Sequence, residues 1–301
     1  MTTTNAVALV PDISNDARIR VFRRYFSAPG EFDNLQVDAY VVITERYVVI
    51  CDSLLCPEDM AIVIDAVRDE LTTRQLLVIN SHADWDHTWG NGFFSGAIHQ
   101  APIIAHEYCR TRMLSEEAKA SLADYQQRYA IFQNVVLTPP TLTFSQRLTI
   151  YGGDLTLELL SAPGHCPDHI AIWIPELRTL LAFDAVESPL PLIGDAQQVQ
   201  PMFATLEHFL AMQPQQVFCS HGEKTGSAVI ERNQAYLREI ERRCRRFTTH
   251  TPISTVLKHA SAFINYSLDE AVGGSDEIVD QSYYSWTHNH NVSCIMQWLM
   301  A

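Results

Sequence analysis

Four side chains able to hold a metal ion fall within six residues: His82, Asp84, Asp86 and His87, spaced His-x-Asp-x-Asp-His. In an extended loop residues i and i+2 point the same way, so His82, Asp84 and Asp86 can converge while His87 turns to the other side. With this chain's own His and Asp frequencies, the pattern arises by chance in about two such chains per thousand. The bland alternative is a solvated polar turn. Three more residues of the same kind follow. His165 sits in Pro163-Gly164-His165-Cys166-Pro167, Asp184 closes the apolar run Leu180-Leu181-Ala182-Phe183, and His221 lies between Ser220 and Gly222. Imidazole and carboxylate donors suit zinc, and also iron or manganese as the carboxylate share rises.

These residues need a scaffold, and the flanking sequence predicts one. Val37–Ile43 and Arg46–Cys51 are β-branched runs around a Thr-Glu turn within a strand-like stretch that begins at Ile19. Pro57 opens a helical stretch to about Leu71. Leu76–Asn80 reads as a short buried strand, with the ligand-rich loop directly behind it. A strand is expected at 102–105, then a helical region from Glu107 to Gln133, rich in Glu, Ala, Gln and Arg. Strands at 146–151 and 154–160 are joined by Gly152-Gly153, and two more follow at His169–Ile174 and Thr179–Phe183. Helices at roughly 202–212 and 225–246 flank a strand at 215–219. After Pro252 the chain reads as mostly helical, ending in an aromatic-rich segment from Asp280 to Met300, while residues 1–16 read as a loose end. Each later ligand candidate lies just past a predicted strand, where a rigid frame positions loops that still reach solvent.

The 301 residues carry 21 Lys+Arg against 35 Asp+Glu, a formal charge of −14. That balance argues against nucleic acid or an anionic membrane as the main partner, since both need a basic footprint. A hydrophobic content of 47% with 19% charged residues excludes a disordered chain. No apolar run approaches the ~18 residues that span a bilayer. The first seven residues lack the basic start and apolar stretch of a signal peptide. Seven scattered cysteines, several inside apolar runs, read as reduced and buried. The expected compartment is the cytoplasm and the expected partner a small-molecule substrate; a homo-oligomer is compatible with all of this.

The ordered set of ligand segments resembles the metallo-β-lactamase superfamily, over about residues 20–225. That resemblance implies an α/β fold: an αββα sandwich of two mixed β-sheets flanked by helices, here as one domain over 1–301 with a helical C-terminal extension from about 226. The family's first motif, usually His-x-His-x-Asp-His, falls on His82, Asp84, Asp86 and His87, with Asp84 where the family has histidine. Its later positions fall on His165, Asp184 and His221. By the same resemblance two divalent metal ions are expected, zinc first, with iron or manganese admitted by Asp84. His82, Asp84 and His165 would hold one, Asp86, His87 and His221 the other, and Asp184 would bridge them. A water shared by two such ions is a hydroxide near neutral pH. The implied reaction is its attack on an ester, thioester, lactone or amide-like carbonyl, with Asp86 orienting the nucleophile and passing its proton on.

Asp168, His169 and Asn91 are candidates for supporting the ligands by hydrogen bonds. Cys166, beside a ligand candidate, reads as a packed or semi-exposed thiol rather than a nucleophile. The run Arg242-Arg243-Cys244-Arg245-Arg246 reads as a solvated helix end. Tyr283, Tyr284, Trp286, His288, His290 and Trp298 fit a helix that covers the fold, a pocket wall or a subunit contact. Two other functions compete with hydrolysis. One is a diiron oxidoreductase of the flavodiiron type without its own flavin domain, suggested by the carboxylate at Asp84. The other is a non-catalytic ligand-binding member of the fold.

Overall fold

The computed structural model describes residues 6–222, 225–247, 253–273 and 280–301. Met1–Asn5 and Pro252, read above as part of a loose end and as the start of the C-terminal helical region, lie outside them. The strands form two sheets, of seven and five members, flanked by helices. The chain divides into two compact units that interleave in sequence: residues 1–25, 37–161 and 168–179 form the first, and 26–36, 162–167 and 180–301 the second.

The first unit contains most of the seven-stranded sheet: β1 (Ala8–Val10), β2 (Ile19–Ala28), β3 (Phe32–Ile43), β4 (Tyr47–Cys51), β5 (Gln75–Ile79), β6 (Ile103–His106) and β7 (Leu142–Phe144), paired in that order. The β2–β3 hairpin tip, residues 26–36, belongs to the second unit. β1 continues the sheet where a loose end was expected, with Ala8 opposite Arg23 and Val10 opposite Val21. The apolar Val7–Val10 run is enough to extend an antiparallel ladder. From β4 onward the pairing is parallel, and β4 is almost wholly buried, as strands covered on both faces are.

Parallel pairing puts the carboxyl ends of β4, β5 and β6 at one edge, which is where open α/β sheets place ligands. Cys51 lies opposite Ile79 in the ladder, so Asp52 and the loop that begins at Asn80 leave the sheet side by side. The expected helix from Pro57 ends early: α1 spans Pro57–Ala66 and a separate turn covers Glu70–Thr72. α2 (Trp85–Thr88) follows β5. The 107–133 region breaks into α3 (Glu107–Met113) and α4 (Glu116–Arg128), with Ser115 accepting the Ala118 N–H at the start of α4. β8 (Arg147–Tyr151), β9 (Thr156–Ser161) and β10 (Ile170–Ile174) complete the unit as an antiparallel run.

The second unit holds most of β11 (Thr179–Leu181) and all of β12 (Gln216–Phe218), with α5 (Val199–Ala211), α6 (Ala228–Arg246), α7 (Ile253–Val256), α8 (Ala260–Phe263), α9 (Leu268–Ala271) and α10 (Gln281–Met300). The aromatic C-terminal segment is α10. It buries Tyr284, His288, Asn291 and Ile295 against this unit and leaves Trp286 exposed. His288 is held between the Tyr236 hydroxyl, 2.9 Å away, and the Tyr266 carbonyl at 2.8 Å. The basic run at the end of α6 pairs with Glu239, Glu241 and Glu270. Among the described residues no helix is long and apolar enough to cross a membrane.

Candidate metal centre

The first unit carries His82, Asp84, Asp86 and His87. The loop is extended only as far as Asp84 and then turns helical. Asp84 takes the N-cap position of α2, and its carbonyl accepts the His87 N–H at 3.1 Å. The expected i, i+2 alternation therefore stops at Asp84, and the four residues pair differently. His82 Nε2 lies 3.4 Å from Asp84 Oδ2, and His87 Nε2 lies 3.4 Å from Asp86 Oδ2. The two imidazole rings are 4.2 Å apart. His82, Asp86 and His87 are buried, whereas the Asp84 side chain is 32% exposed.

Asp52, at the end of β4, organises this set. Its carboxylate accepts the Ser81 N–H and the Ser81 hydroxyl, each at 2.7 Å, and meets His87 Nδ1 at 2.9 Å. A carboxylate only accepts, so Nδ1 carries a proton, and in the neutral ring His87 Nε2 is the lone-pair nitrogen. The same logic fixes His82. Ser81 spends its one hydroxyl proton on Asp52, so at 2.9 Å it accepts from His82 Nδ1 and leaves the His82 Nε2 lone pair facing Asp84. Asp52 stands outside the residues singled out from sequence; its only signal is an acid directly after a buried strand.

The three supporting candidates are all close by. Asp168 accepts the Ala83 N–H at 2.9 Å and pairs with Arg112, which also donates to Asp84 at 2.6 Å. The His169 ring lies 5.1 Å from that of His82. Asn91 exchanges two side-chain hydrogen bonds with Asn80, at 2.8 and 3.1 Å, and donates to the Thr138 carbonyl at 3.0 Å. Arg112, on α3, carries no signal in the sequence, because it looks like any charge on an exposed helix. A cavity of about 480 Å³ lies beside it, bounded by Asp84, Trp85, Trp89 and Met113.

The second unit carries His165, Asp184 and His221, all buried. His165 follows Gly164, whose φ is +146° and whose added Cβ would fall 2.6 Å from the Met202 backbone, so only glycine serves there. Asp184 lies in a helical turn after β11, which ends at Leu181 rather than at Phe183 because Phe183 takes φ +50°. His221 follows β12. The imidazoles flank the Asp184 carboxylate: His221 Nε2 is 3.3 Å and His165 Nε2 is 3.7 Å from Oδ2. Each Nδ1 points at a main-chain carbonyl, Gln36 O at 2.5 Å for His221 and Leu192 O at 3.2 Å for His165. Those carbonyls also only accept, so each Nδ1 carries a proton, and in the neutral rings both Nε2 lone pairs face the carboxylate.

Four histidines in two units thus show one geometry, a lone-pair nitrogen 3.3 to 3.7 Å from a carboxylate oxygen. Two acceptors facing each other at low solvent exposure repel unless a proton or a metal ion stands between them, and Asp86, Asp184 and all four histidines are buried. The donor set therefore fits divalent metal ions. Glu187 is a further buried carboxylate beside His165 and Asp184. Burial pushes its carboxyl up to about 7, against the pull of the His221 imidazole and with the push of the Asp184 carboxylate.

Comparison with known proteins agrees with this geometry. The model of the metallo-beta-lactamase superfamily matches residues 32–221. No curated protein matches the chain. A metallo-beta-lactamase family protein from Thermus thermophilus superposes with a TM-score of 0.66 at 15% identity, covering 95% of this chain and 94% of that one. A metallo-beta-lactamase from Pontibacter korlensis gives 0.57 at 15% identity, over 75% and 95% of the two chains. The mono-zinc form of FIM-1 from Pseudomonas aeruginosa gives 0.54 at 15% identity, over 75% and 92%. At such identities the structures establish the αββα fold alone. The matched family span runs through every residue from His82 to His221, so the chain belongs to the metallo-beta-lactamase superfamily, whose members are mostly metal-dependent hydrolases.

Proposed function

We propose that the chain is a dinuclear metal-dependent hydrolase acting on a small ester, thioester, lactone or amide-like substrate. The observation that carries this reading is the shared orientation of His82, His87, His165 and His221, each presenting Nε2 to a carboxylate. By the family's order, His82, Asp84 and His165 would be the ligands of one ion and Asp86, His87 and His221 those of the other, with Asp184 assigned to both. Zinc is the first expectation, with iron or manganese admitted by Asp84. Bound there, the ions supply an activated water and polarise the substrate carbonyl.

The chain's own residues do the rest. Asp52 and the Gln36 and Leu192 carbonyls hold the ligand imidazoles in one tautomer. Asp86, buried beside His87, orients the attacking water and carries its proton toward the leaving group. The cavity beside Asp84, with Trp85, Trp89 and Arg112 on its walls, has the size of a small-molecule site and supports a substrate of that class. All seven cysteines are buried thiols outside any disulfide, which supports a reducing compartment such as the cytoplasm.

The test is a panel of ester, thioester, lactone, phosphodiester and β-lactam substrates, assayed on chelator-stripped and metal-reconstituted protein. Hydrolysis of a carboxylic acid derivative should appear only with metal and should fall at least about a hundredfold in Asp86→Asn. Metal-independent turnover, or none with any metal, contradicts the reading. The diiron oxidoreductase is kept as a second reading because Asp84 hardens the first motif. It requires iron-loaded protein to consume oxygen or nitric oxide when a reductant is supplied.

A further inference from the structure

We propose that Glu187 is itself a metal ligand, a carboxylate donor added to His165 and Asp184 that belongs to none of the family's motif positions. The inference rests on the metal-dependent reading above and extends it by one residue. One nitrogen or oxygen from each of His165, Asp184 and Glu187 lies within 4.8 Å of the others, a spacing that one ion can bridge.

Glu187 is fully buried. Its Oε1 accepts the Leu192 N–H at 3.2 Å, while Oε2 meets no hydrogen-bond donor among the described residues. A buried carboxylate oxygen left without a donor is costly unless a proton or a metal ion satisfies it. Its main chain is held in place. Asn233, buried on α6, clamps the Glu187 main chain from both sides, accepting its N–H at 2.9 Å and donating to its carbonyl at 2.8 Å.

A purely structural Glu187 would need only the Leu192 contact, and glutamine would provide that equally well. The same Leu192 whose N–H binds Glu187 offers its carbonyl to His165 Nδ1. One loop therefore fixes both donors, so the carboxylate and the imidazole keep a set separation. A second carboxylate makes this set harder and more anionic, favouring manganese or iron over zinc. With Asp84, Asp86 and Asp184, Glu187 brings the proposed carboxylates to four, enough to balance two divalent ions.

The decisive experiment titrates cobalt(II) into chelator-stripped wild type, Glu187→Gln and Glu187→Asp, following the visible d–d absorption together with calorimetric affinity. Glutamine keeps the size and the Leu192 contact, and circular dichroism with a thermal melt checks that each variant is folded. Glu187→Gln should bind one of the ions at least about tenfold more weakly, comparable to losing a supporting ligand contact. Its spectrum should become more intense as the coordination number falls, and Glu187→Asp should lie between. If Glu187→Gln binds with wild-type affinity and spectrum, the proposal is overturned while the metal reading stands. If folded wild type binds no cobalt at all, both fall.

Discussion

The two candidate ligand sets are held by different means. In the first unit the histidines are steered by side chains: Asp52 grips His87 and, through Ser81, His82, while Asp168 and Arg112 hold the loop around Asp84. In the second unit they are steered by the main chain, through the Gln36 and Leu192 carbonyls. Both routes give the same tautomer, but they differ in vulnerability. A side-chain brace can be removed by one substitution, whereas a carbonyl brace survives any substitution that leaves the backbone in place.

The largest effect should come from His165 and Asp184, the two candidate ligands that also lie beside Glu187. Asp184→Ala and His165→Ala should each lower hydrolysis by about a thousandfold or more, since a metal that polarises the reacting carbonyl contributes several kcal/mol. Circular dichroism should show both proteins folded, because these residues sit on loops beyond the strands. Near-full activity in either would remove that residue from the site.

Next comes the clamp on which the second set depends. Asn233→Ala strands a buried N–H and a buried carbonyl on Glu187, at about 2–3 kcal/mol of stability. Denaturant unfolding of metal-free protein measures it. A change below about 0.5 kcal/mol would mean that the loop finds other partners.

The comparison itself is tested by a matched pair. Asp52→Asn should weaken metal binding about 10–100-fold, because an amide no longer enforces the His87 tautomer. Gln36→Ala keeps the carbonyl that binds His221 and loses the side-chain bond to Gly222 O at 2.9 Å, so affinity should stay within about threefold while stability falls by about 1 kcal/mol. Equal losses of affinity in the two variants would erase the distinction.

The smallest effect lies at the far end of α6 from Asn233. Hydrogen bonds from Arg242 and Arg243 hold the Glu239 carboxyl down at about 2. A carboxyl depressed on folding stabilises above its unfolded value, and that contribution disappears as pH falls from about 4.5 toward 2. The pairs are partly exposed and screened, so the loss should stay under about 1 kcal/mol. It should be absent from the pH–stability profile of Glu239→Gln.

The same difference in bracing explains what could be read from the sequence. His82, Asp84, Asp86 and His87 stand out because they crowd one loop, and the strands that carry them are continuous apolar runs. His165, Asp184 and His221 stand out only as isolated polar residues after such runs, made meaningful by their order. Asp52 becomes visible once β4 and β5 pair in parallel with Cys51 opposite Ile79. Gln36 and Leu192 act through carbonyls, which every residue has, so no residue type marks them. Glu187 is hidden for another reason: its role depends on Asn233, 46 positions later, pinning its backbone. The helical turn at Trp85–Thr88 escapes a reading by strand alternation, because the backbone changes conformation at Asp84.

Metal content tests the central claim most directly. Chelator-stripped protein should be reconstituted separately with zinc, iron(II) or manganese(II), freed of excess ion, and assayed for metal and protein by elemental analysis. The account predicts close to two ions per chain with at least one of these metals, since the donors are too many for one four-coordinate ion. A stoichiometry well below one with every metal would contradict it.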